Sequence, residues 1–233
     1  MQQTIEVLGI AGSLRRDSYN KALLRAAQQL APPGMMIKIY EDLGSIPPYN
    51  TDVEAEAYPE VAKELKRRIR DADGILIVTP EYNYGLPGVL KNAIDWASRP
   101  YGDSAWEGKP LAIMGASPGQ GGTVRAQLQL RQAAIFLNML PLNRPEVLVS
   151  GADSRFDASL NLTDETSRKF VRDELEAFAQ WIERLRLGLG ALSSPRQPAP
   201  TWAIWVKALQ QPHHQKEPVA LGCLTQCKGG ITT

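Results

Sequence analysis

Of the chain's 233 residues, 43% are hydrophobic, enough for one buried core with an appendage, which excludes a fibrous or wholly disordered protein. Lys and Arg number 26 against 25 Asp and Glu, a net charge of +1 with the signs interspersed, and this argues against a nucleic-acid partner. Both cysteines, Cys223 and Cys227, and both histidines, His213 and His214, fall near the end of the chain, so everything before them lacks thiolate nucleophiles, His-based triads and His or Cys metal sites.

The opening Met1-Gln2-Gln3-Thr4 carries no basic or long apolar leader, and no later stretch reaches membrane-spanning length, so a cytoplasmic protein without membrane contact is expected. A first strand over residues 4–11 leads into Gly12-Ser13-Leu14-Arg15-Arg16-Asp17-Ser18-Tyr19-Asn20. A helix follows over 18–31, with Ala22, Leu23, Ala26, Ala27 and Leu30 on one face. Unpaired N–H groups at a helix start carry roughly half a positive charge, so Ser13, Ser18 and Asn20, closed by Arg15, suit a phosphate cage. The turn is neither a Walker A loop nor a dinucleotide fingerprint, because it lacks the Gly-Lys-Ser/Thr of the one and the third glycine of the other. The same residues also suit a plain turn and helix cap.

A second strand over 35–40, a helix over 58–71 and a third strand over 74–79 come next. After them lies Thr79-Pro80-Glu81-Tyr82-Asn83-Tyr84-Gly85-Leu86-Pro87-Gly88, where two prolines stiffen the backbone and two glycines permit tight turns beside exposed peptide groups. A helix over 88–98, a fourth strand over 110–116 and the loop Ser117-Pro118-Gly119-Gln120-Gly121-Gly122-Thr123 lead into a helix over 122–139. A fifth strand over 146–150 and a helix over 163–186 complete the pattern, Val171, Leu175, Phe178, Ile182 and Leu185 forming the buried stripe. From 187 onward the chain is glycine-broken and then proline-rich, with a short helix expected only over 201–210 and Trp202 and Trp205 available for packing. The adjacent histidines and the three-residue spacing of the cysteines fit zinc patterns poorly, so no metal is expected.

Alternating strands and helices, with near-continuous apolar runs such as Ile75-Leu76-Ile77-Val78, predict an α/β fold: a doubly wound five-stranded parallel sheet with helices on both faces. Residues 1–186 form the expected domain and 187–233 a weakly ordered extension. Ligands of such sheets bind beyond the carboxyl ends of the strands, where the three unusual loops lie.

The second loop, together with the following Leu90-Lys91-Asn92-Ala93-Ile94-Asp95-Trp96, closely resembles the NAD(P)H-dependent FMN reductases of the flavodoxin-like fold, a group that includes chromate, quinone and azo-dye reductases. The first loop matches the same family's phosphate site. The resemblance implies that Ser13, Arg15, Ser18 and Asn20 bind the FMN phosphate. It implies that Pro80, Glu81, Tyr82, Asn83 and Tyr84 contact ribityl and isoalloxazine, and that Ser117, Gly119, Gln120 and Gly121 complete the pocket. Tyr82 and Tyr84 would shape the site of a small acceptor, and no protein acid or base need be catalytic. Asp17 departs from what a phosphate favours and is expected to turn outward to Arg15 or Arg16. Arg131 and Glu146 stand where relatives place polar residues between subunits, although plain surface charge is the simpler explanation. The resemblance further implies NADPH, or NADH, as hydride donor and a homodimer or homotetramer. A noncatalytic flavodoxin-type carrier and a flavin-binding regulator are the alternative readings, and the near-neutral charge disfavours the carrier.

Overall fold

A computed structural model describes residues 4–191, with side chains as far as 188. The expectations for residues 192–233, including the 201–210 helix, both tryptophans and the His and Cys residues, lie outside the described residues.

In chain order come β1 (Ile5–Ala11), α1 (Tyr19–Leu30), β2 (Met35–Tyr40), α2 (Thr51–Glu56), α3 (Glu60–Asp71), β3 (Gly74–Val78), α4 (Gly88–Ala97), β4 (Pro110–Ala116), α5 (Val124–Phe136), β5 (Leu140–Pro141), β6 (Val147–Val149) and α6 (Glu165–Ala191). The strands are all parallel and lie in the order β2-β1-β3-β4-β5, with β6 also on β4. The chain therefore winds outward from β1 to β2 and then crosses back to β3, which opens a crevice where the direction reverses.

Side chains alternate across the sheet. Leu76, Val78, Ala112 and Met114 pack with Leu23, Ala27, Phe178 and Ile182 of α1 and α6. Ile75, Ile77, Leu111 and Ile113 pack on the other face with Leu65 and Ile69 of α3, Leu90 and Trp96 of α4 and Leu130 of α5. Each such buried side chain contributes roughly 1.5–3 kcal/mol, which is why β3 and β4, covered on both faces, carry no polar residue.

Two expectations are corrected. The sheet has six strands, because the outer one is split: Leu140–Pro141 pairs with Pro110 and Leu111, the chain leaves, and Val147–Val149 returns to pair with residues 114–116. Pro141 and Pro145 flank the departure and have no N–H to give a ladder. The last helix does not break at 187 but continues to Ala191 through Leu187 and Gly188. A helical glycine costs about 1 kcal/mol without ending the helix, and Arg186 anchors the region to Asp73 at 2.6 Å. In addition, α2 and a 3-10 turn at Asp42–Ser45 occupy a segment to which no element is assigned from the sequence. The Asn50 side chain caps α2 by accepting from the Asp52 N–H at 2.8 Å, and no residue of α2 is buried, so no apolar period marks it.

Candidate functional site

The three loops leave the sheet at one level. The N–H of Gly12 donates to the Val78 carbonyl, that of Thr79 to Met114 and that of Ser117 to Val149, each at 2.9 Å. Parallel pairing thus runs one residue past each strand and sets the loops side by side along the rim.

In the first loop Ser13 is buried and its Oγ accepts only a long contact, 3.4 Å, from the Arg15 N–H. Ser18 is the N-cap of α1, its Oγ accepting from the N–H groups of Asn20 at 3.2 Å and Lys21 at 3.4 Å. Among the described residues no acceptor takes the N–H groups of Leu14, Arg16, Asp17 or Ser18, and none takes the exposed Arg15 guanidinium. These unspent donors, beside a buried hydroxyl and the positive end of α1, fit an anionic phosphate. Asp17 pairs with Arg16 at 3.5 Å, away from that task. Asn20 is buried and spends both ends of its amide on one residue: Nδ2 donates to the Ala116 carbonyl and Oδ1 accepts from the Ala116 N–H, each at 2.9 Å. It fastens α1 to the end of β4, where sequence reasoning placed it on the phosphate directly.

The second loop is a tight hairpin. The Tyr82 N–H donates to the Gly85 carbonyl at 3.1 Å and the Gly85 N–H to Tyr82 at 2.9 Å, with Asn83 at φ 50° and Tyr84 at φ 65° between them. Two successive residues at positive φ form the turn that suits a twisted hairpin, and an aromatic residue there is strained. Tyr82 and Tyr84 project as 53% and 70% exposed side chains, whereas Pro80 is buried.

What holds this turn comes from α5. The Glu81 carboxylate accepts from Arg125 Nε at 2.6 Å and from the N–H groups of Arg125 at 2.9 Å and Ala126 at 3.2 Å. The Arg125 guanidinium lies 3.7 Å from the centre of the Tyr84 ring, a cation–π stack. Gln129 Oε1 accepts from the Leu86 N–H at 2.8 Å. Burial pushes the Glu81 carboxyl up, but these donors prevail and hold it below the usual carboxylate range. Glu81 thus caps α5 as an anion and is not free to act as a base.

The third loop is mostly backbone. Ser117 Oγ accepts from the Gly119 N–H at 3.1 Å, and the N–H groups of Gln120 and Gly121 meet no acceptor among the described residues. Thr123, fully buried, turns back over the end of β4. A Cβ on Gly115 would stand 1.8 Å from Thr123 Oγ1 and 2.6 Å from the Thr79 carbonyl, so only glycine allows loops two and three to meet there. Gln127 Nε2 donates to Thr123 Oγ1 at 3.2 Å and to the Val147 carbonyl at 3.0 Å, tying this loop to β6.

The structure therefore brings Ser13, Arg15, Ser18, residues 80–84, Ser117, Gly119, Gln120 and Gly121 to one rim, with Asn20 beneath. Sequence reasoning missed Arg125, Gln129, Gly115 and Thr123. Only Gly115, a glycine inside an apolar strand, carried a local signal of close approach. Arg131 does not join the rim: its Nη1 donates to the Leu142 carbonyl at 2.9 Å and its Nη2 lies 4.0 Å from Glu146, fastening the segment between β5 and β6.

A family model described as NADPH-dependent FMN reductase matches residues 5–154. An NAD(P)H-dependent FMN reductase of Pseudomonas aeruginosa is 50% identical over 186 residues, covering 80% of this chain and 100% of that protein. A 2-hydroxy-1,4-benzoquinone reductase of a Burkholderia species is 45% identical over 183 residues, covering 78% and 99%. Among solved structures, FerB, a flavoenzyme NAD(P)H:(acceptor) oxidoreductase from Paracoccus denitrificans, superposes with a TM-score of 0.72 at 39% identity, covering 78% of this chain and 98% of that one.

Proposed function

From the premise that the chain belongs to the NADPH-dependent FMN reductase family, we propose that its three rim loops hold FMN and pass electrons from NAD(P)H to a small quinone. The observation that carries this reading is the set of unspent N–H donors of the first loop, beside buried Ser13 and unpaired Arg15, at the start of α1. FMN, when bound, takes up a hydride and hands its electrons on.

The chain's own residues bind, orient and exclude. Ser13 Oγ, the loop N–H groups and Arg15 take the phosphate, and Ser18 caps α1 while its own N–H stays free for it. Asn20 is a positioning residue acting through Ala116. Residues 80–84, Ser117, Gly119 and the free amides of Gln120 and Gly121 line the ribityl chain and ring. The glycines let peptide groups come close, and the rigid hairpin sets Tyr82 and Tyr84 at an open aromatic edge where a flat acceptor stacks. No described side chain need move a proton.

The quinone reductase among the relatives supports a quinone acceptor, with azo compounds, free flavin and oxyanions such as chromate as further candidates for the same open edge. The outer face of α5 carries Leu128, Ile135 and Phe136 at 57%, 80% and 77% exposure. An apolar face of this kind supports a homodimer or homotetramer. No described helix is long and apolar enough to cross a membrane. We place the protein in the cytoplasm, with its supply of NAD(P)H.

The test is anaerobic. Protein incubated with FMN and desalted should keep flavin absorbance that bleaches with NADPH and returns with a benzoquinone. Protein that retains no flavin, or flavin that neither NADPH nor NADH bleaches, overturns the reading.

A further inference from the structure

On the β2 side of the first loop, away from loops two and three, α1 and the ends of β1 and β2 enclose a cavity of about 320 Å³. Its floor is apolar, from Leu24, Ile39 and Leu43, and Ser13 and Leu14 of the first loop form one end. On the α1 wall stand Lys21 and Arg25, one turn apart. Elsewhere helix cations find acids, as in Arg67 with Asp71, Lys91 with Asp95 and Lys169 with Asp173. Here α1 contains no acid at all. Lys21 Nζ reaches only the Leu14 carbonyl, at 3.5 Å, and Arg25 has no partner among the described residues. The one carboxylate lining the space is Glu41, just past the end of β2.

A cavity with an apolar floor, two unpaired cations on one wall and a carboxylate on the other suits an aromatic base whose sugar carries a phosphate. The phosphate is drawn to the α1 wall, and Glu41 accepts from a hydroxyl. The space is too large for a free phosphate and abuts the phosphate loop through Ser13. We propose that Lys21 and Arg25 bind the 2′-phosphate of NADPH, making this cavity the adenosine subsite that selects NADPH over NADH. The proposal rests on the reductase reading, since it assigns one end of that reaction's donor.

Steady-state kinetics of the FMN-loaded protein with NADPH and with NADH test it, using Lys21→Gln/Arg25→Ala. The double substitution should raise the KM for NADPH on the order of 10- to 100-fold, the effect of losing charged hydrogen bonds, while the NADH constants and flavin content move less than about twofold. Arg25→Lys, which keeps the charge, should lose much less. 2′-AMP should compete with NADPH in the unsubstituted protein and fail to in the double variant, whereas competition by inorganic phosphate alone, equal in both, would assign a simple anion effect and overturn the proposal. Equal loss with both dinucleotides, no loss with either, or loss of FMN also overturns it. An unsubstituted protein that oxidises neither dinucleotide defeats instead the reductase reading.

Discussion

At the scale of single residues, Arg15 is the proposed phosphate ligand that the sequence displays most directly, as a guanidinium in a hydroxyl-rich turn before a helix. Removing a charge-assisted hydrogen bond worth roughly 1.5–3 kcal/mol, Arg15→Ala should weaken FMN binding about 10- to 100-fold, read by flavin fluorescence titration. Gly115→Ala tests the crossing of Thr123 over β4. A methyl group 2.6 Å from the Thr79 carbonyl must displace backbone, costing about 3 kcal/mol or more and lowering Tm on the order of 10 °C, with flavin retention lost. A variant with unchanged Tm would show that the crossing relaxes freely. The pairing of Asn20 with Ala116 was not legible, because the partner lies 96 positions away and no local pattern reports such a contact. Arg125 and Gln129 were illegible for the same reason: their contacts depend on how α5 is rotated against the second loop.

At the scale of elements, β1 to β4 were readable as short apolar runs and the long helices by their dominant period, each with a clear turn at its ends. The divided outer strand was not, since two and three residues carry no period. The gap it leaves is filled from α6. Glu174, 1% exposed, accepts from the Ile113 N–H, with Arg131 and Glu146 as the charged groups facing it and its Oε2 unpartnered. Burial pushes its carboxyl well above the usual value of 4.5, outweighing the Ile113 bond and Arg131. The folded protein therefore holds a proton that the unfolded chain has released, and stability falls as pH rises above about 4.5 toward the folded value. Glu174→Gln, which cannot ionise, should be flatter: its Tm relative to the unsubstituted protein should climb between pH 5 and pH 8. A constant difference across that range would mean that Glu174 stays ionised in the fold.

At the scale of the molecule, both described cores and all three rim loops are built from residues within 4–191. A chain ended after Ala191 should therefore keep its FMN affinity and NADPH oxidation within about twofold, a cut five residues later than the composition alone suggests. Loss of either would show that residues 192–233 contribute to the site. If α5 carries the proposed subunit contact, Phe136→Glu should shift the sedimenting species toward the monomer, and an unchanged mass would overturn that contact.

The double grip of Asn20 on Ala116 has a thermodynamic corollary. Two crests joined by a clasp cannot loosen independently, so a guest that stills one leaves less disorder in the other for a later guest to remove. Cofactor and donor would then bind with positive cooperativity even where they never touch. In the flavin-free protein, amide exchange at 117–121 should be faster in Asn20→Ala than in the unsubstituted chain.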